Sequence, residues 1–222
     1  MSHGLFGKPT VINNVETLAL VPGILARGAT WWQDQGKGEA AGLKFIAISG
    51  HVEEAGVHEV PLGLPLRDLL RAAGGVSGGR EMVAVAPGGA SSPFLPATAL
   101  DTPLEFQAML DAGSMLGSGA VIIMAAGTDL VAAATNVVTF FRNESCGKCV
   151  PCRLGTEKAV HLLNDLQAGR GSAAALQLLP QLGETLRLTS ICGLGQVALN
   201  PILSVLEHFP EALQADPSAH GD

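Results

Sequence analysis

Three of the four cysteines stand within seven residues, Cys146-Gly-Lys-Cys149-Val-Pro-Cys152, and the fourth, Cys192, lies well downstream. Two overlapping C-x-x-C steps on one loop hold three thiolates at the corners of a small inorganic core. A distant cysteine then closes the fourth corner, the arrangement expected of a [4Fe–4S] cluster with all-cysteine ligation. The fold must therefore return the segment around Cys192 to the loop around Cys149. Gly147 and Gly193 permit close backbone approach, and Pro151 stiffens the loop. Lys148 and Arg153 offer positive charge to a negative cluster, and a helix starting near Thr156 is expected to point its positive end there. A zinc ion held by the four cysteines is the alternative, although zinc sites usually pair two separate knuckles rather than divide three and one. A disulfide leaves three clustered cysteines unexplained, and reducing compartments disfavour it.

The rest of the chain is suited to a packed core. Its 222 residues are 47% hydrophobic and 15% charged, with a mean hydropathy of +0.34, which excludes disorder as the main state. A net charge of −7 and an aromatic content of 4% without tyrosine argue against nucleic-acid binding, which needs basic surface and stacking rings. No signal peptide is visible, because Pro9, Asn13, Asn14 and Glu16 interrupt the first apolar stretch. The longest strongly apolar run, Ala120 to Ala126, is too short to span a membrane. The expectation is a soluble, cytoplasmic chain.

Four segments follow from the pattern. Residues 1–38 read as a loop, a helix and a linker. Asn13 and Glu16 stand in a capping-box relation, Pro22 is expected to kink or divide the helix, and Gly28 to stop it. Residues 39–128 carry strand candidates at Leu43–Ser49, Gly56–Pro61, Glu81–Pro87 and Ala120–Ala126, with a helix at Pro65–Ala73. This predicts an α+β, ubiquitin-like β-grasp domain. Residues 129–213 read as a four-helix bundle: Asp129 to Phe141, a helix capped by Thr156 and ending at Ala168, one capped by Ser172 and bent at Pro180, and one opened by Asn200-Pro201 and closed by Pro210. Residues 214–222 are expected to form a flexible tail.

Two motif matches lack their context. Gly75-Val-Ser77-Gly-Gly79 follows a helix and not a strand, and Gly193-Leu-Gly195-Gln-Val-Ala198 sits in no βαβ unit. His51, His58, His161 and His208 have no paired spacing and read as surface or helix-face residues.

Four stretches together resemble one family: GLFGKPTVINNVETL (Gly4–Leu18), ISGHVEEAGVHEVPLG (Ile48–Gly63), ESCGKCVPCRLGT (Glu144–Thr156) and ICGLGQ (Ile191–Gln196). The chain is similar to the C-terminal half of the NADH-oxidising flavoprotein subunit of respiratory complex I. The relatives of that subunit are the diaphorase subunits of NAD(P)-reducing hydrogenases and the beta subunits of NAD-dependent formate dehydrogenases. The resemblance implies a soluble-ligand-binding-type β-grasp domain followed by a helical domain holding a cluster that is reduced by FMN. It implies metal ligation by Cys146, Cys149, Cys152 and Cys192, and FMN contacts at Asn13, Asn14 and Thr17. Leu194 would lie between cluster and flavin. It assigns no catalytic residue. The implied partners are a thioredoxin-like [2Fe–2S] subunit and a larger iron–sulfur or catalytic subunit, in a peripheral part of a redox complex. The glycine-rich FMN loop and NADH pocket of the family's N-terminal half have no counterpart in this sequence, so NAD(H) would act only through that half and the flavin motif is half a site. The competing expectation is a non-catalytic interaction module braced by zinc.

Overall fold

The computed structural model describes residues 3–213, with the side chain of Ala173 excepted; the tail expected at residues 214–222 lies outside the described residues. The chain opens with helices α1 (Val15–Arg27) and α2 (Ala29–Gln33). Strands β1 (Leu43–Gly50) and β2 (Gly56–Pro61) follow, then helix α3 (Leu66–Ala72). Next come β3 (Met82–Ala86), β4 (Leu95–Pro96), helix α4 (Phe106–Asp111) and β5 (Ala120–Ala125). Five helices complete it: α5 (Leu130–Asn143), α6 (Val150–Gln167), α7 (Ala173–Thr189), α8 (Gly193–Val197) and α9 (Asn200–His208). Among the described residues no helix is long and apolar enough to cross a membrane.

The strands form one mixed sheet in the order β2-β1-β5-β3-β4. The β1–β2 hairpin is antiparallel, with Leu43 opposite Pro61 and Ile48 opposite Gly56, whereas β1 and β5 are parallel, with Ile48 beside Val121. Period-two alternation gives the central strand two apolar faces. Val121 and Ile123 join Ile46, Ile48, Leu66, Leu69 and Leu104 in one core. Met124, with Ala84, Ala86 and Phe94, joins the buried residues of α5, α6, α7 and α9 in the other. Each fully buried Ile or Leu contributes about 1.5–3 kcal/mol.

The helices start and stop largely on local chemistry. Asp129 accepts from the Ala132 N–H and Ser172 from the Ala175 N–H, caps worth about 1 kcal/mol each. Other starts differ from the sequence expectation. The α1 cap is Asn14 and not Asn13, its Oδ1 accepting from the Thr17 N–H at 3.0 Å. α1 runs through Pro22, and the break falls instead at Gly28, whose φ of +91° suits glycine. Thr156 lies inside α6, buried, donating its hydroxyl to the Cys152 carbonyl at 2.7 Å; the helix begins six residues earlier, with Cys149 at its N-cap. Asn200 is the first residue of α9 and not its cap, and its amide donates to the Ser91 carbonyl. β4, α4 and α8 had no counterpart in the pattern. His51 and His58 are half-buried at the sheet and not surface residues; His51 Nδ1 accepts from the Ala125 N–H.

α1 buries no residue of its own. Glu16 attaches it to the sheet, accepting from the Phe45 N–H at 2.7 Å and pairing with Lys44 at 2.9 Å. Between α1 and the sheet runs an open apolar groove lined by Val15, Ala19, Phe45, Ala47 and Val57.

Candidate metal centre

The three clustered cysteines occupy the turn between α5 and α6 and the first turn of α6. Gly147, at φ +73°, takes the left-handed conformation that lets the loop reverse between Cys146 and Cys149. Arg153, one turn into α6, reaches back so that Nη1 donates to the Gly147 carbonyl at 2.8 Å. Cys192 comes from the junction of α7 and α8, where it stands at the N-cap of α8.

All four thiols line one cavity of about 120 Å3, together with Glu144, Ser145, Lys148, Ile191 and Leu194. Cys152 is buried, Cys149 half-buried, and Cys146 and Cys192 are exposed. The Ile191 N–H, and after it the Cys152 N–H, face the Cys149 sulfur and hold its thiol below the ordinary value, although Cys149 closes no side-chain cap hydrogen bond to its own helix. The N-terminal end of the 18-residue α6 also favours negative charge at this point.

The donor set and its spacing fit an iron–sulfur core better than a single ion. Four thiolates about 2.3 Å from one zinc crowd around it and leave no void. Here the four sulfurs surround a cavity. Packing around Cys152 is tight. A Cβ on Gly195 would collide with Ser190 Oγ and stand 2.9 Å from Cys152 Cβ. Ser190 is 5% exposed, and its hydroxyl has no partner among the described residues. An unpaired buried hydroxyl of this kind costs about 1–3 kcal/mol, so a sulfur acceptor beside it would be favoured.

Leu194 is half-buried on the cavity wall. Asn13, Asn14 and Thr17 are elsewhere: they stand exposed at the start of α1, where Asn14 Oδ1 also accepts from the Thr17 hydroxyl at 3.2 Å, and they take no part in the cavity lining. Ser145, Ser190 and Ile191 were not picked out by sequence reasoning. Their one signal was adjacency to the cysteines, and a serine's hydrogen bonds are not written in its spacing.

Comparison with known proteins places both halves of the architecture. Residues 132–216 match the NADH-ubiquinone oxidoreductase-F iron-sulfur binding region, and residues 44–132 match the SLBB domain. The chain is 42% identical over 207 residues to the second F-type subunit of NADH-quinone oxidoreductase in Rhizobium meliloti, covering 93% of this chain and 49% of that protein. It is 40% identical to the mitochondrial NADH-ubiquinone oxidoreductase 51 kDa subunit of Aspergillus niger, covering 96% and 43%. It is 36% identical to the NADP-reducing hydrogenase subunit HndC of Solidesulfovibrio fructosivorans, covering 96% and 44%. Among solved structures, an NAD+-reducing [NiFe]-hydrogenase in the H2-reduced state superposes with a TM-score of 0.84 at 36% identity, over 96% of this chain and 36% of that one. The chain thus spans about half the length of the relatives it matches first.

Proposed function

The chain belongs to the NADH-quinone oxidoreductase-F family, as its C-terminal part, and from that premise we propose that it is the electron-transfer portion of such a flavoprotein subunit, in which Cys146, Cys149, Cys152 and Cys192 hold a [4Fe–4S] cluster serving between FMN and partner subunits. The observation that carries this is the convergence of four thiols from two distant segments on one cavity. When bound, such a cluster supplies one-electron storage beside a two-electron flavin.

The chain's own residues supply the environment. Buried Cys152 anchors the site to the helical core. Lys148 and Arg153 offset the negative charge of four thiolates, and Leu194 excludes water from one wall. The row of exposed apolar residues at the start, including Phe6 at 90% and Ile12 at 93% exposure, is the face we assign to the flavin-bearing part, with Asn13, Asn14 and Thr17 as its FMN contacts. Residues 39–128 we read as the β-grasp domain and 129–213 as the cluster-bearing bundle. The partners would be a thioredoxin-like [2Fe–2S] subunit and a larger iron–sulfur or catalytic subunit, in a cytoplasmic, peripheral part of a redox complex. NADH oxidation and FMN retention belong, in this reading, to the assembled subunit.

The test is metal analysis of the anaerobically reconstituted chain. Iron and acid-labile sulfide at about four each per chain, the content of one cubane, with a brown colour bleached by dithionite, are expected. A colourless protein with one tightly held zinc would establish the braced interaction module instead.

A further inference from the structure

Cys152 differs from the other three cysteines in its surroundings. It is buried at 4% exposure, and Ser145 Oγ lies 3.3 Å from its sulfur. By geometry alone either atom is able to donate in that contact. Two facts give it a direction. The Gly147 N–H donates to the same Ser145 oxygen at 3.3 Å, which leaves the serine proton free to point elsewhere. A cysteine that ligates iron is a thiolate and has no proton to give. The order is therefore Gly147 N–H to Ser145 Oγ, then Ser145 O–H to Cys152 Sγ. The loop that orients the serine is itself clasped by Arg153 through the Gly147 carbonyl.

We propose that Ser145 is a positioning residue whose hydroxyl donates to the Cys152 thiolate and raises the reduction potential of the site. The proposal rests on the cluster reading above. Each electron added to a thiolate-ligated core makes it one unit more negative, so a hydrogen bond to a ligand sulfur is stronger in the reduced state than in the oxidised one. Hydrogen bonds to the sulfurs are among the levers that set such potentials. Burial of Cys152 sharpens the effect, because water does not compete for the sulfur and the local dielectric is low.

The test is a redox titration, followed by electron paramagnetic resonance, of the full chain reconstituted as wild type, Ser145→Ala and Ser145→Thr. At a fixed ambient potential, Ser145→Ala is expected to lower the reduced-to-oxidised ratio about tenfold, equivalent to about 59 mV for one electron. Ser145→Thr, which keeps the hydroxyl, is expected to return most of it. An unchanged potential in a fully loaded Ser145→Ala protein overturns the proposal. If Ser145→Ala does not load, Ser145→Thr and Ser145→Val decide, being close in shape and different in the hydroxyl. Loading by Thr alone, or by both with the lower potential in Val, supports the assignment; loading by both with equal potentials, or by neither, overturns it. Wild-type protein without iron and sulfide would remove the cluster reading itself, a result distinct from a loaded cluster indifferent to the hydroxyl.

Discussion

Gly195 stands against two side chains at once, Ser190 and Cys152, and Cys152 is the most deeply placed of the four thiols. Gly195→Ala forces one of them to move, an overpacking that costs about 1–3 kcal/mol. The expected outcome is iron content reduced several-fold with the helix content by circular dichroism unchanged; full iron retention would show that the crowding is absorbed elsewhere. The four cysteines were legible in the sequence because thiols at that spacing have few other uses. Their polar neighbours were not. Ser145 is one serine among many until the turn between α5 and α6 sets its hydroxyl against Cys152, and Ser190 stands out only because folding buries it.

Among the elements, α1 shows how a local pattern misassigns a partner. Asn13 and Glu16 have the spacing of a capping box, yet Asn14 caps the helix and Glu16 crosses to β1. Both uses are cheap locally, and the choice belongs to the sheet: β5 starts only opposite Ala47, and the carboxylate takes the Phe45 N–H that lies before that start. Burial raises the Glu16 pKa, but the Phe45 N–H and the Lys44 ammonium outweigh it and hold the carboxyl below its usual value of 4.5. A depressed carboxylate contributes stability above its unfolded value, lost as pH falls through the folded one. The protection of the α1 amides, taken as observed exchange relative to the intrinsic rate at each pH, should therefore fall as the solution is acidified below about pH 4.5. Glu16→Gln should show the lower protection already at neutral pH, with that acid dependence flattened. Equal protection in both proteins would mean that other contacts hold α1. The same logic explains Thr156, whose hydroxyl suits a cap but is satisfied within the helix once Cys149 begins it.

At the scale of the molecule, the sheet and the helices share a core instead of meeting at a linker. The Phe94 N–H donates to Ser204 Oγ at 2.7 Å, and that hydroxyl donates to the Pro201 carbonyl at 2.7 Å. Ser204→Ala leaves the buried Phe94 N–H without its acceptor, at a cost of about 1–3 kcal/mol. Because Ala84, Ala86 and Met124 lie in the same core as α5 and α6, sheet and helices should still unfold in one transition, with the denaturant midpoint lowered alike for probes in both. Two separate transitions would show independent units.

The amino-acid sequence alone determined the four-cysteine pattern, the β1–β2 hairpin, the amphipathic faces of α5 and α9, and the stops at Gly28 and Gly169. Each of these depends on neighbours a few residues away, through period, cap or spacing. Only the tertiary structure decided that Cys192 joins the trio across α6 and α7, that one sheet serves two cores, and which of several local hydrogen-bonding options Glu16, Thr156, Asn200 and Ser145 take. Those outcomes depend on burial against distant segments. Burial removes water as a competing partner, so a choice that is nearly neutral in the unfolded chain becomes worth a kilocalorie or more once the core closes.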